Sequence, residues 1–206
     1  MRIVAANEWQ EWLDQGVVLE QDSRGPKVIC LKDERLLKIF RPRRRLWLAR
    51  LTPQASQFAE NAAQLASRGV AVPHIEECLW LDKKLAVSGC LYAPLPGDSL
   101  DRLYRQSRAD FLELLPALGA FIRSLHQRGV YFRSLHLGNV LYLPDGGFGL
   151  IDFLDIRFIR RPLPAALVRR NLQHLRGYLE RSKISDFPWD TLLAAYEQAA
   201  APATQH

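Results

Sequence analysis

Cysteine is scarce in this sequence: Cys30, Cys78 and Cys90 are the whole complement, and none forms a C-x-x-C pair. That argues against a zinc site and against a disulfide framework, and fits a reducing compartment in which the three are buried strand residues. No run approaches the ~18 consecutive apolar residues that a membrane-spanning helix requires. The N-terminal stretch carries Arg2 and Glu8 where a secretory signal would be apolar. These absences predict a cytoplasmic protein and leave room for peripheral attachment to the inner face of a membrane. Internal repeats and low-complexity linkers are also missing. Acids are the minority, 22 Asp+Glu against 28 Lys+Arg, for a net charge of +6 and a pI near 9.5. An anionic partner is compatible with that balance: nucleotide, phosphorylated glycan, membrane surface or nucleic acid. A basic protein with no such partner is equally compatible.

What is present begins with enough apolar residues, 48% of the chain, for a sizeable core. Asn7 is placed to cap a helix from Glu8 to Gln15 that Gly16 ends. Val17–Glu20, Lys27–Leu31 and Arg35–Phe40 read as three strands joined by the turns Asp22–Pro26 and Asp33-Glu34. Pro53 to Arg68 reads as a helix, and Ile75–Leu81 and Leu85–Leu91 as two more strands around Asp82-Lys83-Lys84. The first part is therefore predicted as a five-stranded antiparallel sheet with one helix. Pro94-Leu95-Pro96-Gly97 is a connector. Helices follow over Leu100–Arg105, Ala109–Arg128, Pro164–Arg181 and Pro188–Ala199, with a small hairpin of Val140–Leu143 and Gly149–Ile151. Sheet first and helices second is an α+β plan, divided into residues 1–94 and 95–206.

The stretch Tyr131-Phe132-Arg133-Ser134-Leu135-His136-Leu137-Gly138-Asn139-Val140-Leu141, with Leu150-Ile151-Asp152-Phe153-Leu154-Asp155 after it, carries the chemistry. Asn139 follows Ser134 by five residues, the spacing in H-R-D-x-x-x-x-N, and Asp152 ends an apolar strand as in D-F-G. Together with the preceding helix end Leu125-His126-Gln127-Arg128-Gly129-Val130, the stretch resembles the catalytic loop and metal-binding strand of the protein-kinase-like fold. More narrowly, Phe132 to Asn139 resembles the H-G-D-L-H-x-G-N loop of aminoglycoside-phosphotransferase-like and lipopolysaccharide core kinases. Taken whole, the chain is similar to the bacterial lipopolysaccharide kinase family, and within it to short members often labelled toluene tolerance proteins.

The resemblance implies a two-lobe protein-kinase-like fold with a reduced, mainly helical C-terminal lobe. It implies MgATP as cofactor, held by Lys38, Asn139 and Asp152, with adenine against the backbone near Leu91 to Ala93. Lys38 is the single cation inside the apolar strand Leu36-Leu37-Lys38-Ile39-Phe40, either an edge lysine or one directed at phosphate. Glu60 is the local acid available to pair with it, and also suits a plain surface position. Hard oxygen ligands suit Mg2+, so Asn139 and Asp152 are candidates, with Asp155 either a further metal ligand or a cap. The acceptor implied is a heptose or Kdo sugar of the lipopolysaccharide core.

Ser134 stands where such kinases place their catalytic aspartate, and Phe132 where they place histidine. A serine hydroxyl is no general base near neutral pH unless something activates it. His136 and Asp155 are the nearby groups that could supply one, although His136 also suits a loop histidine bonded to backbone. The loop Asp22-Ser23-Arg24-Gly25-Pro26 holds one glycine rather than G-x-G-x-x-G, and its proline lacks an N–H for phosphate. Three functions are therefore compatible: a sugar kinase, a pseudokinase scaffold in envelope biosynthesis, and a minimal kinase-like ATPase of the type found in a tRNA-modification assembly. Two basic clusters remain. Arg41, Arg43, Arg44, Arg45 and Arg50 surround Leu46-Trp47-Leu48, and Arg157, Arg160, Arg161, Arg169 and Arg170 follow the metal strand. Either suits an anionic glycolipid or an inner-membrane surface, or is a solvated face. No nucleic-acid-binding motif accompanies them.

Overall fold

The structure is a computed structural model that describes residues 1–159 and 162–199; Arg160 and Arg161 of the second basic cluster lie outside these. The architecture is α+β, with seven α-helices, a six-stranded mixed sheet and two smaller sheets among the described residues. The chain divides into two compact units, Met1–Leu95 and Pro96–His206. No helix among the described residues is long and apolar enough to cross a membrane.

The first unit runs β1 (Arg2–Ile3), α1 (Ala6–Gln15), β2 (Val17–Asp22), β3 (Gly25–Cys30), β4 (Leu36–Phe40), α2 (Leu46–Leu51), α3 (Gln54–Ala66), β5 (His74–Asp82) and β6 (Val87–Ala93). Its sheet has the order β1-β5-β6-β4-β3-β2. The five antiparallel strands expected from the sequence are there, but a sixth makes the sheet mixed. β1 pairs parallel to β5, Arg2 opposite Leu79 and Ile3 opposite Trp80. Two residues are too few to show an alternating pattern. Their pairing rests on tertiary contacts: Val4 N donates to Trp80 O at 2.9 Å, and the Arg2 guanidinium bridges Glu8 and Glu77 at 2.6 and 3.0 Å.

Alternation then sorts the strands into two faces. Ile29, Leu37, Ile39, Leu79 and Leu91 join Val4 and Leu31 in one buried cluster, which Trp9, Trp12 and Leu13 of α1 cover. Burying each such aliphatic side chain stabilises the unit by roughly 1.5–3 kcal/mol. α1 starts two residues earlier than the capping residue expected: its N-cap is Ala5, with no side-chain cap, and Asn7 lies inside the helix. Gly16 ends it in an extended conformation, φ −82° and ψ 155°, and a Cβ there would stand 2.4 Å from Ile29 Cγ2. α3 buries Ala55, Phe58, Ala62 and Leu65, and its Phe58 ring sits 5.4 Å from Phe40 and 6.3 Å from Tyr92. α2 was not expected; it buries no residue at all.

The second unit contains β7 (Asp98–Ser99), α4 (Leu100–Gln106), α5 (Arg108–Gln127), β8 (Val130–Phe132), β9 (Val140–Tyr142), β10 (Phe148–Leu150), β11 (Ile156–Phe158), α6 (Ala165–Arg181) and α7 (Trp189–Gln198). Ser99 and Ser107 cap α4 and α5, each accepting a backbone N–H at 3.3 Å. The β9–β10 hairpin matches expectation and gains β7 on its edge. A second ladder, β8 with β11, was hidden in what read as loop. α5 and α7 approach closely at Gly119, where a Cβ would meet Ala195 Cβ at 2.7 Å.

A buried polar network joins these helices to β8. His126 of α5 meets the Tyr196 hydroxyl of α7 through Nδ1 at 2.8 Å and Asn171 Oδ1 of α6 through Nε2 at 3.1 Å. Asn171 Nδ2 donates in turn to the Phe132 carbonyl at 2.6 Å. The amide oxygen only accepts, so Nε2 carries the imidazole proton and Nδ1 accepts from tyrosine. Burial pushes the His126 imidazole down from 6.5 to about 4, against the opposing pull of its bond to Asn171.

Because the folded-state value is depressed, the unfolded chain takes up this proton first as pH falls. The contribution is complete above pH 6.5 and disappears as pH falls towards 4, a loss of about 3 kcal/mol. Urea unfolding between pH 7.5 and 4 should therefore show a steeper acid loss in the native chain than in His126→Asn, which lacks the titrating group. Equal slopes for the two proteins would refute this role.

Candidate functional site

The sequence-predicted residues fall into two groups, one in each unit. In the second, ladder pairing decides the geometry. β8 and β11 run antiparallel with Phe132 opposite Ile156, so the segment leaving β8 and the segment entering β11 lie side by side. That brings Ser134 to Asp155 across 21 residues: Ser134 Oγ donates to Asp155 Oδ2 at 2.7 Å. Arg133 Nε donates to the same oxygen at 3.2 Å. Asp155 Oδ1 is buried and accepts no hydrogen bond from the described residues.

Asn139 laces the two segments together. Its Nδ2 donates to the Ser134 carbonyl at 3.0 Å, and its own carbonyl accepts from Ile151 N at 3.0 Å. Asp152 follows with φ of 52°, the left-handed region, and is exposed. A non-glycine residue held there costs on the order of 1 kcal/mol and persists only where its surroundings enforce it. Phe153 beside it is fully buried.

His136 is placed differently. Its Nδ1 accepts from Gly138 N at 3.2 Å, capping the short 3-10 turn Leu137–Asn139. Its ring stacks on Tyr178 of α6, centroids 4.4 Å apart and planes 11° apart, and the Tyr178 hydroxyl donates to Asp101 at 3.0 Å. Burial pushes the imidazole down, while Asp152, Asp101 and Asp155 pull the other way. A neutral ring with one nitrogen committed to the backbone holds the loop in shape. The partners Tyr178 and Asp101, from two separate helices, carry no local signal in the sequence.

Basic side chains gather at the same loops. His174 of α6 feels Arg170, Arg133 and Asp155, and burial pushes it below its usual value. Arg157, Arg169 and Arg170 are exposed. A cavity of about 350 Å3 elsewhere in this unit is lined by Arg176, Leu179, Glu180, Lys183, Ile184 and Trp189 among others, and by no residue of the loops described above.

In the first unit, Lys38 lies at the centre of the sheet, between Val28 of β3 and Cys90 of β6. Its ammonium stands 5.7 Å from the centre of the Phe58 ring, and its charge is felt by the Cys90 thiol. Lys38 therefore projects from the face that α3 covers, which excludes the plain edge position. On α3, Glu60 is exposed, whereas Asn61 is buried. Asn61 is three residues beyond Phe58 and shares its face, a position that helical periodicity could have singled out. The β2–β3 tip holds itself closed. Asp22 Oδ1 accepts Arg24 N at 2.8 Å, Arg24 Nη1 donates to the Arg41 carbonyl at 2.9 Å, and the Arg41 guanidinium donates to the Pro26 carbonyl.

Among the described residues no group of three or more His, Cys, Asp or Glu side chains could hold a metal. Magnesium asks for less: one or two protein oxygens, the rest from water and phosphate. Asp152, exposed, and Asn139, buried with its Nδ2 on the Ser134 carbonyl, each carry an oxygen of that kind. Asp155 Oδ2 already accepts from Ser134 and Arg133, so Oδ1 is the oxygen it has left to offer.

No protein-family model matches the chain, and no curated protein matches it.

If Asp155 organises these loops, removing it strands the Ser134 hydroxyl and the Arg133 guanidinium together. Asp155→Ala should lower unfolding free energy by about 1–3 kcal/mol, and Ser134→Ala by about 1 kcal/mol or less. Denaturant melts giving the reverse order would refute that assignment.

Proposed function

We propose that the chain is a small phosphotransferase with a two-lobe protein-kinase-like fold, related to the lipopolysaccharide core kinases, that transfers phosphate from MgATP to a core sugar. The observation that carries this reading is the Ser134–Asp155 hydrogen bond at 2.7 Å. Sequence spacing left the base position with a hydroxyl alone; the fold supplies a carboxylate to that hydroxyl. A sugar hydroxyl bound at Ser134 would pass its proton to Oγ as the serine proton moves to Asp155 Oδ2. The freed sugar oxygen would bond the γ-phosphorus as the phosphorus–oxygen bond to ADP breaks, so that ADP leaves and Asp155 ends neutral. The requirement for an activated serine is met by an acid 21 residues downstream.

The other parts have their roles by the same resemblance. Lys38 would neutralise phosphate oxygens, and Asn139 and Asp152 would hold magnesium, which spreads the charge of the transferring group. The left-handed Asp152 supports this, since strain of that kind gathers at functional positions. Exposed arginines of β11 and α6, Arg157, Arg169 and Arg170, suit the phosphates of an anionic acceptor.

One observation favours a second reading, a nucleotide-binding pseudokinase. The β2–β3 tip consumes its own donors, Arg24 N among them, and so has little to offer a triphosphate. In that case the fold serves as a scaffold in envelope biosynthesis.

Two measurements separate these readings. MgATP should raise the melting temperature of the native chain, and Lys38→Ala and Asp152→Ala should abolish the shift; absence of any shift at millimolar MgATP overturns both readings. Radiolabelled phosphate should then pass to purified core glycolipid, at a rate that Asp155→Asn lowers roughly 100-fold without removing the MgATP shift. A native chain that shows the shift and no transfer is the pseudokinase.

Introducing an acid at the base position is a further check. Ser134→Asp places a second carboxylate against Asp155, and two such groups in contact cannot both ionise easily. The variant should be less stable than the native chain at pH 8 and regain stability near pH 5. A variant at least as stable at pH 8 would show that the two side chains are not in contact.

A further inference from the structure

Four of the six residues of α2 are large, apolar and in solvent: Leu46, Trp47, Leu48 and Leu51, with Trp47 65% and Leu51 73% exposed. At 100° per residue, Trp47, Leu48 and Leu51 fall within one arc, and Ala49, the least exposed of the six, lies roughly opposite. So short a helix has little stability of its own. Its C-terminal residue cap and a neighbouring turn hold it in place. Thr52 closes its last turn through N–H and Oγ1 bonds to the Leu48 carbonyl at 2.8 and 3.1 Å. The Arg50 guanidinium donates to the Lys84 carbonyl, which draws up the β5–β6 turn with its own exposed Leu85.

Cations ring this apolar surface. Arg43, Arg44 and Arg45 precede α2, Arg50 lies within it, and Lys83 and Lys84 stand on the adjoining turn; all six are exposed. The chain has no acid between Glu34 and Glu60, and Asp82, the nearest carboxylate on the turn, accepts from Leu85 N. Among the described residues none of the six pairs with a carboxylate.

From this we infer that α2 and the β5–β6 turn dock the protein on an anionic phospholipid bilayer. Charge complementarity selects this occupant. Six cations against the single carboxylate of Asp82 repel a second copy of the same surface, and a nucleic acid would leave Trp47, Leu48 and Leu51 in water. A bilayer satisfies both halves: phosphates meet the arginine and lysine heads, and the tryptophan and leucines enter the boundary between headgroup and acyl chain. Trp47 is the interfacial anchor, since its amphipathic ring favours that layer. This surface lies within the first unit and does not depend on any nucleotide chemistry.

Flotation of the full chain with vesicles tests it. Binding to phosphatidylcholine vesicles containing phosphatidylglycerol should be clear at low salt, weak in ~0.5 M salt and weak to phosphatidylcholine alone. The triple variant Arg43→Ser, Arg44→Ser, Arg45→Ser should lose on the order of tenfold or more in affinity. The variant Trp47→Ser, Leu51→Ser should also bind more weakly while keeping the salt dependence. Both alter exposed positions, and unchanged melting curves will show that they fold. Lys38→Ala should bind vesicles as the native chain does, which keeps this test apart from the kinase reading. Failure of the native chain to float with anionic vesicles at low salt overturns the inference. So does binding that neither variant weakens, or a concentration-dependent dimer in sedimentation velocity that the Trp47→Ser, Leu51→Ser variant dissolves.

Discussion

The second unit depends on one short bond, from the Asn171 side-chain amide to the Phe132 carbonyl at 2.6 Å. Phe132 is the last residue of β8 and Ser134 lies just beyond it, so where that carbonyl is held decides where the loop begins. The carbonyl is buried, and an unpaired acceptor there would cost more than the bond contributes. Asn171 is itself fixed by His126, and His126 by Tyr196. Three helices thus converge on one strand end. Networks of this kind stabilise only when every member is satisfied, and so they admit one arrangement of the strand relative to the helices.

By comparison the many charged contacts at the surface contribute little. The pairs Arg102–Asp98, Arg105–Asp101 and Arg176–Glu180 are each four residues apart with exposed cations, and solvent screening leaves such pairs little weight. They decorate helices whose positions the apolar core and the buried amide already determine. Arg133–Asp155 is the exception in kind, because its carboxylate is shielded and shared with Ser134. In that bond the positioning of a loop and its electrostatics are one and the same thing.

Most regular elements were legible in the sequence because their signals are local. Alternating Leu37 and Ile39, the Phe111-to-Leu125 spacing of α5 and the Asp145-Gly146-Gly147 turn each announce themselves within a few residues. What escaped was set from a distance. β1 exists because Trp80 offers a carbonyl, and β8 and β11 because each has the other. α2 breaks the rule that a helix face seeks the core, so its apolar residues did not read as a helix. Among the candidate residues, the types and spacing of Lys38 in the first unit and of Ser134, Asn139 and Asp152 in the second were visible, and so was Asp155. The Ser134–Asp155 bond was not, since it depends on a ladder of three residue pairs. Asn61 carries no charge to single it out beside Glu60; its helical phase with Phe58 is the signal that marks it.

The self-bonded tip of the β2–β3 hairpin bears on time as well as on affinity. A flexible loop that wraps a ligand must open again before the ligand leaves, and such opening often sets the pace of turnover. Here Asp22, Arg24 and Arg41 already hold the tip in one shape. Under the nucleotide-binding reading, a ligand arriving beside it would meet a tip already closed on itself. Exchange there would be governed by the contacts made on arrival, and residence would be brief unless those contacts are strong.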